Sequence, residues 1–422
     1  MKKICFVVAA FMVVGILQGC GSMGPGSKAV EITVVSPFHD EDGNRDNFVN
    51  AYKAYEAATG NKVNDEAFVS NEAWKAEITS EFEKGREPDI LFYFTGADAD
   101  RLIESGKLVS LSDIRREYPD YASNMKDSMM PVSTADGRQY AVPVNGYWEG
   151  LYLNRKVLAD CGVAVPGADY SWEQFLKDCE AIKEKGCTPV ACSLADVPHY
   201  WFEFCVFNNG NISNHLVLPR SSGDNAGRKW AAGLMDIKEL YDKGYLPGDT
   251  TTASDSETSM LMIENKAAFL LDGSWKLGWF SEKAADVDDF LVTYVPAKGE
   301  RKPTEIIGGL SMGYYITKKA WDDPKKREAC VGFIEAMTTD EVVSSFGALS
   351  VTALKNGTSP PDDADSLVLS ALEMNRDCTG VVSAVQDIMN VDARKALFGD
   401  IKEIAAGQIT PESAIDECLA VN

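Results

Sequence analysis

The chain has 422 residues, of which 45% are hydrophobic and 25% are charged, and its formal net charge is −23. The composition is that of an ordinary globular protein, and the length predicts roughly two or three domains rather than one. The negative charge excludes a nucleic-acid-binding protein, because that function needs a basic face. No Cys-x-x-Cys pair occurs in the sequence, so a metal site is not expected.

The first 20 residues predict a secretory signal peptide. Lys2 and Lys3 form its charged start, and an apolar run follows over residues 4–17. The alternative is a single-span membrane anchor, for which the run is short. The run ends in Leu-Gln-Gly-Cys20, which resembles a bacterial lipobox and implies that Cys20 carries a lipid. Residues 21–28 are rich in glycine and serine and predict a flexible tether, and both interpretations place the rest of the chain outside the cytoplasm.

The elements that follow alternate between strands and helices, which is typical of α/β proteins. Residues 31–35 predict a buried strand and residues 47–59 an amphipathic helix. Residues 63–69 predict a second strand, after which Ser70 is expected to cap the next helix.

Two polar side chains, His39 and Asp40, come shortly after the first predicted strand. Ligands tend to bind outside the carboxyl ends of the strands in open α/β sheets, so both residues are candidates for ligand binding. The alternative is a loop whose side chains are simply solvated.

An aromatic and acidic cluster lies within residues 138–158. An Asn-Gly pair predicts a kink, and Tyr147, Trp148 and Glu149 follow it directly. Rings can stack on the flat apolar face of a polar ligand while a carboxylate accepts hydrogen bonds from its hydroxyl groups, so this trio predicts a ligand site. The alternative is a core strand, where aromatic residues are common.

Two later turns carry further candidates. After a strand predicted at residues 266–271, a Gly-Ser pair turns the chain and presents Trp275, whose indole can lie on the apolar face of a sugar or pack in the core. Gly308 and Gly309 allow close backbone approach and positive φ, which suits either a hinge or amide donors for a ligand oxygen.

Several of these segments, in order, resemble the family 1 extracellular solute-binding proteins, which are the sugar-binding subunits of ABC importers. The matching segments are the Pro-Asp-Ile strand and its following Leu-x-Glu-x-Gly-x-Leu run at residues 88–111, the Gly-Arg-x-Tyr-Ala-Val-Pro and Leu-Tyr-x-Asn-Arg pair at 137–155, the Gly-x-Thr-Pro stretch at 186–189, the Lys-Ala-Ala-Phe and Gly-Ser-Trp motif at 266–275, and the glycine-rich run at 306–316.

The resemblance implies an α/β fold of the two-lobed periplasmic-binding-protein kind, class II type, with the ligand cleft between the lobes. Three hinge crossings are then expected, near residues 145–150, 307–312 and 346–350. The expected N-lobe comprises residues 29–146 and 311–346, and the expected C-lobe comprises residues 147–310 and 347–422.

By the same resemblance, Tyr93, Thr95 and Asp98 lie in a loop that faces the cleft, and Trp201 reaches the cleft from the other lobe. The alternatives are that Tyr93 belongs to the core, that Asp98 caps the next helix, and that Trp201 lies in a helix start packed on its neighbour.

The implied function is that of the substrate-binding component of an ABC transporter, not an enzyme. It would bind a mono- or oligosaccharide and deliver it to the transmembrane permease subunits, held at the outer face of the membrane through Cys20. A monomer without a cofactor is expected. Two alternatives remain open: the same fold binding a non-sugar solute, and a secreted glycoside hydrolase, whose pair of carboxylates no motif marks.

Overall fold

A computed structural model of the chain describes residues 29–40, 42–133, 135–144, 146–347, 352–356 and 364–421. The predicted signal peptide, the tether, Cys20 and most of the third predicted crossing lie outside the described residues. Within the described part of the chain, no helix is both long and apolar enough to cross a membrane.

The described strands, in chain order, are β1 (Glu31–Ser36), β2 (Lys62–Ala67), β3 (Ile90–Phe94), β4 (Tyr147–Asn154), β5 (Thr188–Ala191), β6 (Ala267–Gly273), β7 (Phe290–Thr293), β8 (Glu305–Gly309), β9 (Met312–Ile316) and β10 (Gly380–Val382). The described α-helices are α1 (Arg45–Thr59), α2 (Glu72–Glu83), α3 (Ala97–Glu104), α4 (Leu111–Glu117), α5 (Arg155–Cys161), α6 (Trp172–Glu184), α7 (His199–Asn208), α8 (Asn225–Asp242), α9 (Asp255–Ile263), α10 (Lys276–Lys283), α11 (Lys318–Asp322), α12 (Pro324–Met337), α13 (Asp340–Gly347), α14 (Ser366–Asp377), α15 (Val391–Ala405) and α16 (Pro411–Ala420). Short 3-10 helices span Asp127–Met129, Val287–Asp289 and Val385–Ile388.

The first lobe is built around a four-stranded sheet of order β2-β1-β3-β9, in which β1 pairs in parallel with both neighbours and β9 runs antiparallel to β3. Both faces are covered. Ile32 and Val34 belong to one apolar cluster, whereas Val35 belongs to another on the opposite face. This burial on both sides explains why the neighbouring residues Val34 and Val35, which point to opposite faces, are both apolar.

The second lobe contains a six-stranded sheet of order β10-β8-β4-β6-β5, with β7 also paired to β4. Alternate residues of β4 enter different cores: Leu151 and Leu153 pack in one cluster, and Trp148 and Tyr152 pack in the other. The two sheets, each with its own cores, confirm the α/β fold with two lobes.

The structure corrects several local details. The side chain that caps α2 is Asn71, which accepts a hydrogen bond from the amide of Trp74, and not Ser70. Ala353 and Leu354 pack in a core of the first lobe, and Leu354 forms a bridge with Met125. These two residues, which the resemblance assigns to the C-lobe, therefore pack with the first lobe, and the exact position of the third crossing stays a prediction.

Candidate functional site

The strongest candidate site lies where β4 begins, just after the first crossing between lobes. Tyr147 and Glu149 are two residues apart on this strand, so their side chains share one face of the sheet. Glu149 is only 1% exposed, and neither of its carboxylate oxygens has a hydrogen-bond partner in the described part of the chain. Burying a carboxyl group without hydrogen-bond donors costs on the order of several kcal/mol of folding free energy, and donors from a bound ligand would offset part of this cost. This unpartnered acid therefore points to a ligand.

The indole of Trp275 lies beside this acid. Gly273, at the end of β6, is the cross-strand partner of Glu149, so a side chain at position 273 would project on the same face as the carboxylate. A Cβ built on Gly273 would lie 2.1 Å from a ring carbon of Trp275. The ring therefore lies on the backbone of Gly273 next to Glu149, and Trp275 remains 37% exposed.

Two tyrosines complete a set of rings around the acid. The ring centroid of Trp275 is 6.3 Å from that of Tyr147 and 5.8 Å from that of Tyr200 at the start of α7. We call Tyr147, Glu149, Tyr200 and Trp275 the Glu149 face. Rings beside a carboxylate suit a ligand that has both flat apolar surfaces and hydrogen-bond donors.

Further carboxylates surround this face. The hydroxyl of Tyr147 lies 3.3 Å from Oδ2 of Asp387, which belongs to the 3-10 helix Val385–Ile388. Burial raises the pKa of Glu149 well above its ordinary value, and the negative charges of Glu203, Asp387 and Asp272 raise it further. Burial, followed by the charge of Glu203, raises the pKa of Asp387 to about 7. Lys75 and Arg394 lower the pKa of Asp387 only in part. Both acids therefore hold their protons more tightly than usual, and a positive charge beside them would favour their ionised forms.

The lobes touch on two sides of this face. A Cβ built on Gly43, in the loop after β1, would lie 3.2 Å from the carbonyl oxygen of Trp275. On the other side, a Cβ on Gly96 would lie 2.6 Å from the carbonyl oxygen of Asp387. Because Gly43 and Gly96 belong to the first lobe and their partners to the second, the Glu149 face lies at the junction between the lobes.

The predicted residues of the first lobe lie around this junction. His39 and Asp40 belong to the loop that carries Gly43; Asp40 is exposed and lies 3.5 Å from Arg45. Thr95 precedes Gly96, and its amide donates to the carbonyl oxygen of Ser311 at 2.8 Å. These positions leave a ligand-binding role for His39, Asp40 and Thr95 as a prediction.

Two tryptophans predicted to contact the ligand lie in the core instead. Trp148 is fully buried on the other side of β4 and stacks on Tyr152, since neighbouring residues of a strand point to opposite faces. Trp201 is 2% exposed and stacks on Phe175. The packed helix start, given above as the alternative for Trp201, is the arrangement observed, and Tyr200 approaches Trp275 in its place.

Tyr93 and Asp98 are also buried. Tyr93 is 1% exposed and packs edge-on against Trp74. Asp98 lies in the first turn of α3 and forms ion pairs with Lys75 at 3.0 Å and with Arg394 of the second lobe at 2.7 Å. Burial raises the pKa of Asp98, but the charges of Lys75 and Arg394 outweigh it and lower this pKa below its ordinary value. Asp98 therefore joins the two lobes.

Gly308 and Gly309 end β8, where they pair with Trp148 and Tyr147 of β4. A Cβ on Gly308 would lie 2.6 Å from the carbonyl oxygen of Tyr147. Glycine is thus needed for the two crossing strands to run side by side, which is the close backbone approach that the sequence predicted.

Three residues of the site were not among the sequence candidates for ligand binding: Tyr200, Gly273 and Asp387. Tyr200 directly precedes the predicted ligand contact Trp201, and Gly273 belongs to the motif that ends at Trp275. No local pattern marks Asp387, because contacts distant in sequence hold it in place.

The fold is shared with solved solute-binding proteins. A chitin oligosaccharide binding protein superposes with a TM-score of 0.81 at 23% identity, covering 93% of this chain and 98% of that protein. The solute-binding protein RafE in complex with raffinose gives a TM-score of 0.71 at 16% identity, covering 93% of this chain and 98% of that one.

Among curated proteins, the melibiose/raffinose/stachyose-binding protein MelE of Bacillus subtilis (strain 168) is 23% identical over 288 residues. The match covers 60% of this chain and 64% of MelE, so the chain spans less than two thirds of this relative.

The sequence profile of the family described as bacterial extracellular solute-binding protein matches residues 50–361, which is more than half of the 422-residue chain. The match includes both crossings that the structure describes and the residues of the Glu149 face. The chain is a member of the bacterial extracellular solute-binding protein family.

Proposed function

We propose that this chain binds a mono- or oligosaccharide at the Glu149 face, between its lobes, and releases it unaltered to the permease subunits of an ABC transporter. One observation carries the proposal: the buried carboxylate of Glu149, which has no hydrogen-bond partner among the described residues, lies beside the indole of Trp275, and that indole lies near two tyrosine rings. Sugars have both the apolar ring faces and the hydroxyl donors that this arrangement needs.

The relatives support the carbohydrate class. By its name, the sequence relative MelE binds melibiose, raffinose and stachyose. Of the two structural neighbours, one is named as binding chitin oligosaccharides and the other is in complex with raffinose. The lipobox-like sequence before Cys20 supports attachment to the outer face of the membrane. Binding without turnover is proposed because the family is one of binding proteins.

The test is a binding screen with purified protein against mono- and oligosaccharides, read by calorimetry and by intrinsic tryptophan fluorescence. For any saccharide that binds, Trp275→Ala is expected to weaken affinity by roughly tenfold or more, because a stacked aromatic anchor contributes on the order of 2 kcal/mol. The fold should survive, since Trp275 is one of the exposed large side chains.

Trp279→Ala is the matched control, because it removes a neighbouring indole of α10 that packs on Phe280 outside the Glu149 face. It should leave affinity unchanged. Unchanged affinity in Trp275→Ala would contradict the stacking role, and recovery of a cleaved saccharide after incubation would contradict release without turnover.

A further inference from the structure

The described charges that act on the Glu149 carboxylate are all negative. They belong to Glu203, Asp387 and Asp272, and neither Glu149 nor Asp387 forms an ion pair with a described residue. The oxygens of Glu203 accept the amides of Val385 and Gln386, and one also lies 3.3 Å from Nε2 of His215. Hence the oxygens of Glu203 have partners, whereas those of Glu149 have none within the described ranges of the chain.

The buried basic side chains of this region are already paired with other acids. Lys276 lies 3.1 Å from Asp255 and 3.4 Å from Asp272. Arg394 and Lys75 both pair with Asp98. None of these side chains is placed to neutralise Glu149.

Neutral hydroxyl groups would supply hydrogen-bond donors to Glu149 but would not offset the neighbouring acids that raise its pKa, whereas a positive charge beside the carboxyl group favours its ionised form. A protonated amine supplies both donors and charge, and charge-assisted hydrogen bonds are about twice as strong as neutral ones. The rings beside the acid require that the amine be attached to a group with a flat apolar face.

We propose that the carbohydrate bound at the Glu149 face is an amino sugar, whose ring lies on Trp275 and whose ammonium group lies against the carboxylate of Glu149, with Asp387 close by. This inference rests on the proposed function and narrows its ligand class. It also reconciles a negative site, which favours cations, with an exposed indole, which favours pyranose rings.

The test compares ligands that differ only at one substituent. Each set contains a 2-amino sugar, its N-acetyl derivative and the parent sugar with a hydroxyl group at that position, in the gluco, galacto and manno series, as monosaccharides and as short oligosaccharides. Acetylation removes the charge and keeps the ring, so it separates charge recognition from stacking. Affinities are measured by calorimetry at pH 7, where most of the amine is protonated. A lower pH is avoided, because the raised pKa values of Glu149 and Asp387 would leave both acids uncharged.

In at least one set, the amine is expected to bind tenfold or more tightly than both neutral members. Glu149→Gln, which keeps the side-chain shape and removes the charge, should reduce this preference at least tenfold. Glu264→Gln is the control: it removes the same charge from an exposed glutamate paired with Lys266 and should leave the preference intact.

The outcomes separate this inference from the proposed function. If neutral members bind as tightly as amines or more tightly, the amino-sugar inference is overturned and carbohydrate binding stands. If no saccharide of any kind binds, both fall. If Glu149→Gln does not fold, the comparison of amine, N-acetyl and hydroxyl sugars on the unaltered protein still decides whether an amino sugar is preferred.

Discussion

At the scale of single residues, Gly273 decides where the indole of Trp275 lies. The ring rests on the glycine at the position that a Cβ would occupy, on the face of the sheet shared with Glu149. Gly273 is not among the glycines with positive φ, so its backbone conformation could be adopted by other residues. The requirement for glycine therefore comes from the position of the indole ring.

Gly273→Ala therefore tests the position of the ring directly. The new methyl group would displace the indole, the movable partner in the clash, and affinity for the bound saccharide should fall by roughly tenfold while the melting temperature changes little. Gly248→Ala is the control, because a Cβ there meets no atom within 4 Å. Equal affinities of the two variants, measured by calorimetry, would show that the ring position does not matter.

Local sequence patterns predict part of this candidate site but do not take into account that successive residues of a strand point to opposite faces. The local sequence predicts a site made of Tyr147, Trp148 and Glu149, yet strand geometry permits only the first and third of these residues to share a face. The alternation could have excluded Trp148 once Glu149 was assigned to the cleft. Periodicity gave no comparable guide on α7, where Trp201 and Tyr200 are adjacent and only packing shows which ring turns inward.

At the scale of elements, a buried carboxylate of the second lobe holds the start of the 3-10 helix Val385–Ile388. Glu203 of α7 is fully buried and accepts the amides of Val385 and Gln386, both at 2.8 Å. This anchor fixes the element that carries Asp387, and so it links the interior of α7 to the Glu149 face.

Glu203→Ala should free this element. The buried amide of Val385 and the partly buried amide of Gln386 would lose their acceptor, and an unsatisfied buried amide costs about 1–3 kcal/mol. We expect faster hydrogen–deuterium exchange in a peptide that spans residues 385–388, together with weaker ligand binding. Glu257→Ala is the comparison, since this glutamate also accepts a backbone amide, in the exposed capping box of α9, and should affect only its own helix. Unchanged exchange at residues 385–388 would contradict the anchoring role.

Many elements were predictable because local periodicity and capping determine them. The strand at 31–35 and the helix at 47–59 agree with β1 and α1 to within two residues. The position of Asp387 was not predictable, because it depends on a contact between residues 203 and 385 that no local pattern records.

At the scale of the whole molecule, a buried ion cluster joins the lobes. Arg394 of α15 is 1% exposed and binds Asp98 through both terminal nitrogens, at 2.7 and 3.2 Å, and it also pairs with Glu72 at 3.1 Å. Because Asp98 and Glu72 belong to the first lobe, these contacts exist only when the lobes are together. The cluster should therefore favour the closed form with or without ligand.

Arg394→Gln should shift the ligand-free protein towards open forms. Breaking a buried ion pair costs about 3–5 kcal/mol, which Lys75 partly offsets here by remaining beside Asp98, so affinity should fall by roughly ten- to a hundredfold. Small-angle scattering should show a larger radius of gyration without ligand. Arg376→Gln, which removes an exposed pair with Asp377, is the control. A radius and an affinity equal to those of the unaltered protein would show that the cluster does not set closure.

The two-lobed architecture was the most predictable feature of the molecule, because ordered motifs spread along the chain pointed to one family. The state of contact between the lobes was not predictable. It depends on side chains such as Asp98 and Arg394, which are almost 300 positions apart in sequence.

The most direct test of the central claim is a crystal structure of the protein with the saccharide that binds most tightly in the screen. We expect the sugar between the lobes, with a ring on the indole of Trp275 and donors within hydrogen-bond distance of the Glu149 carboxylate. A saccharide bound elsewhere, with the oxygens of Glu149 still lacking partners, would contradict the account.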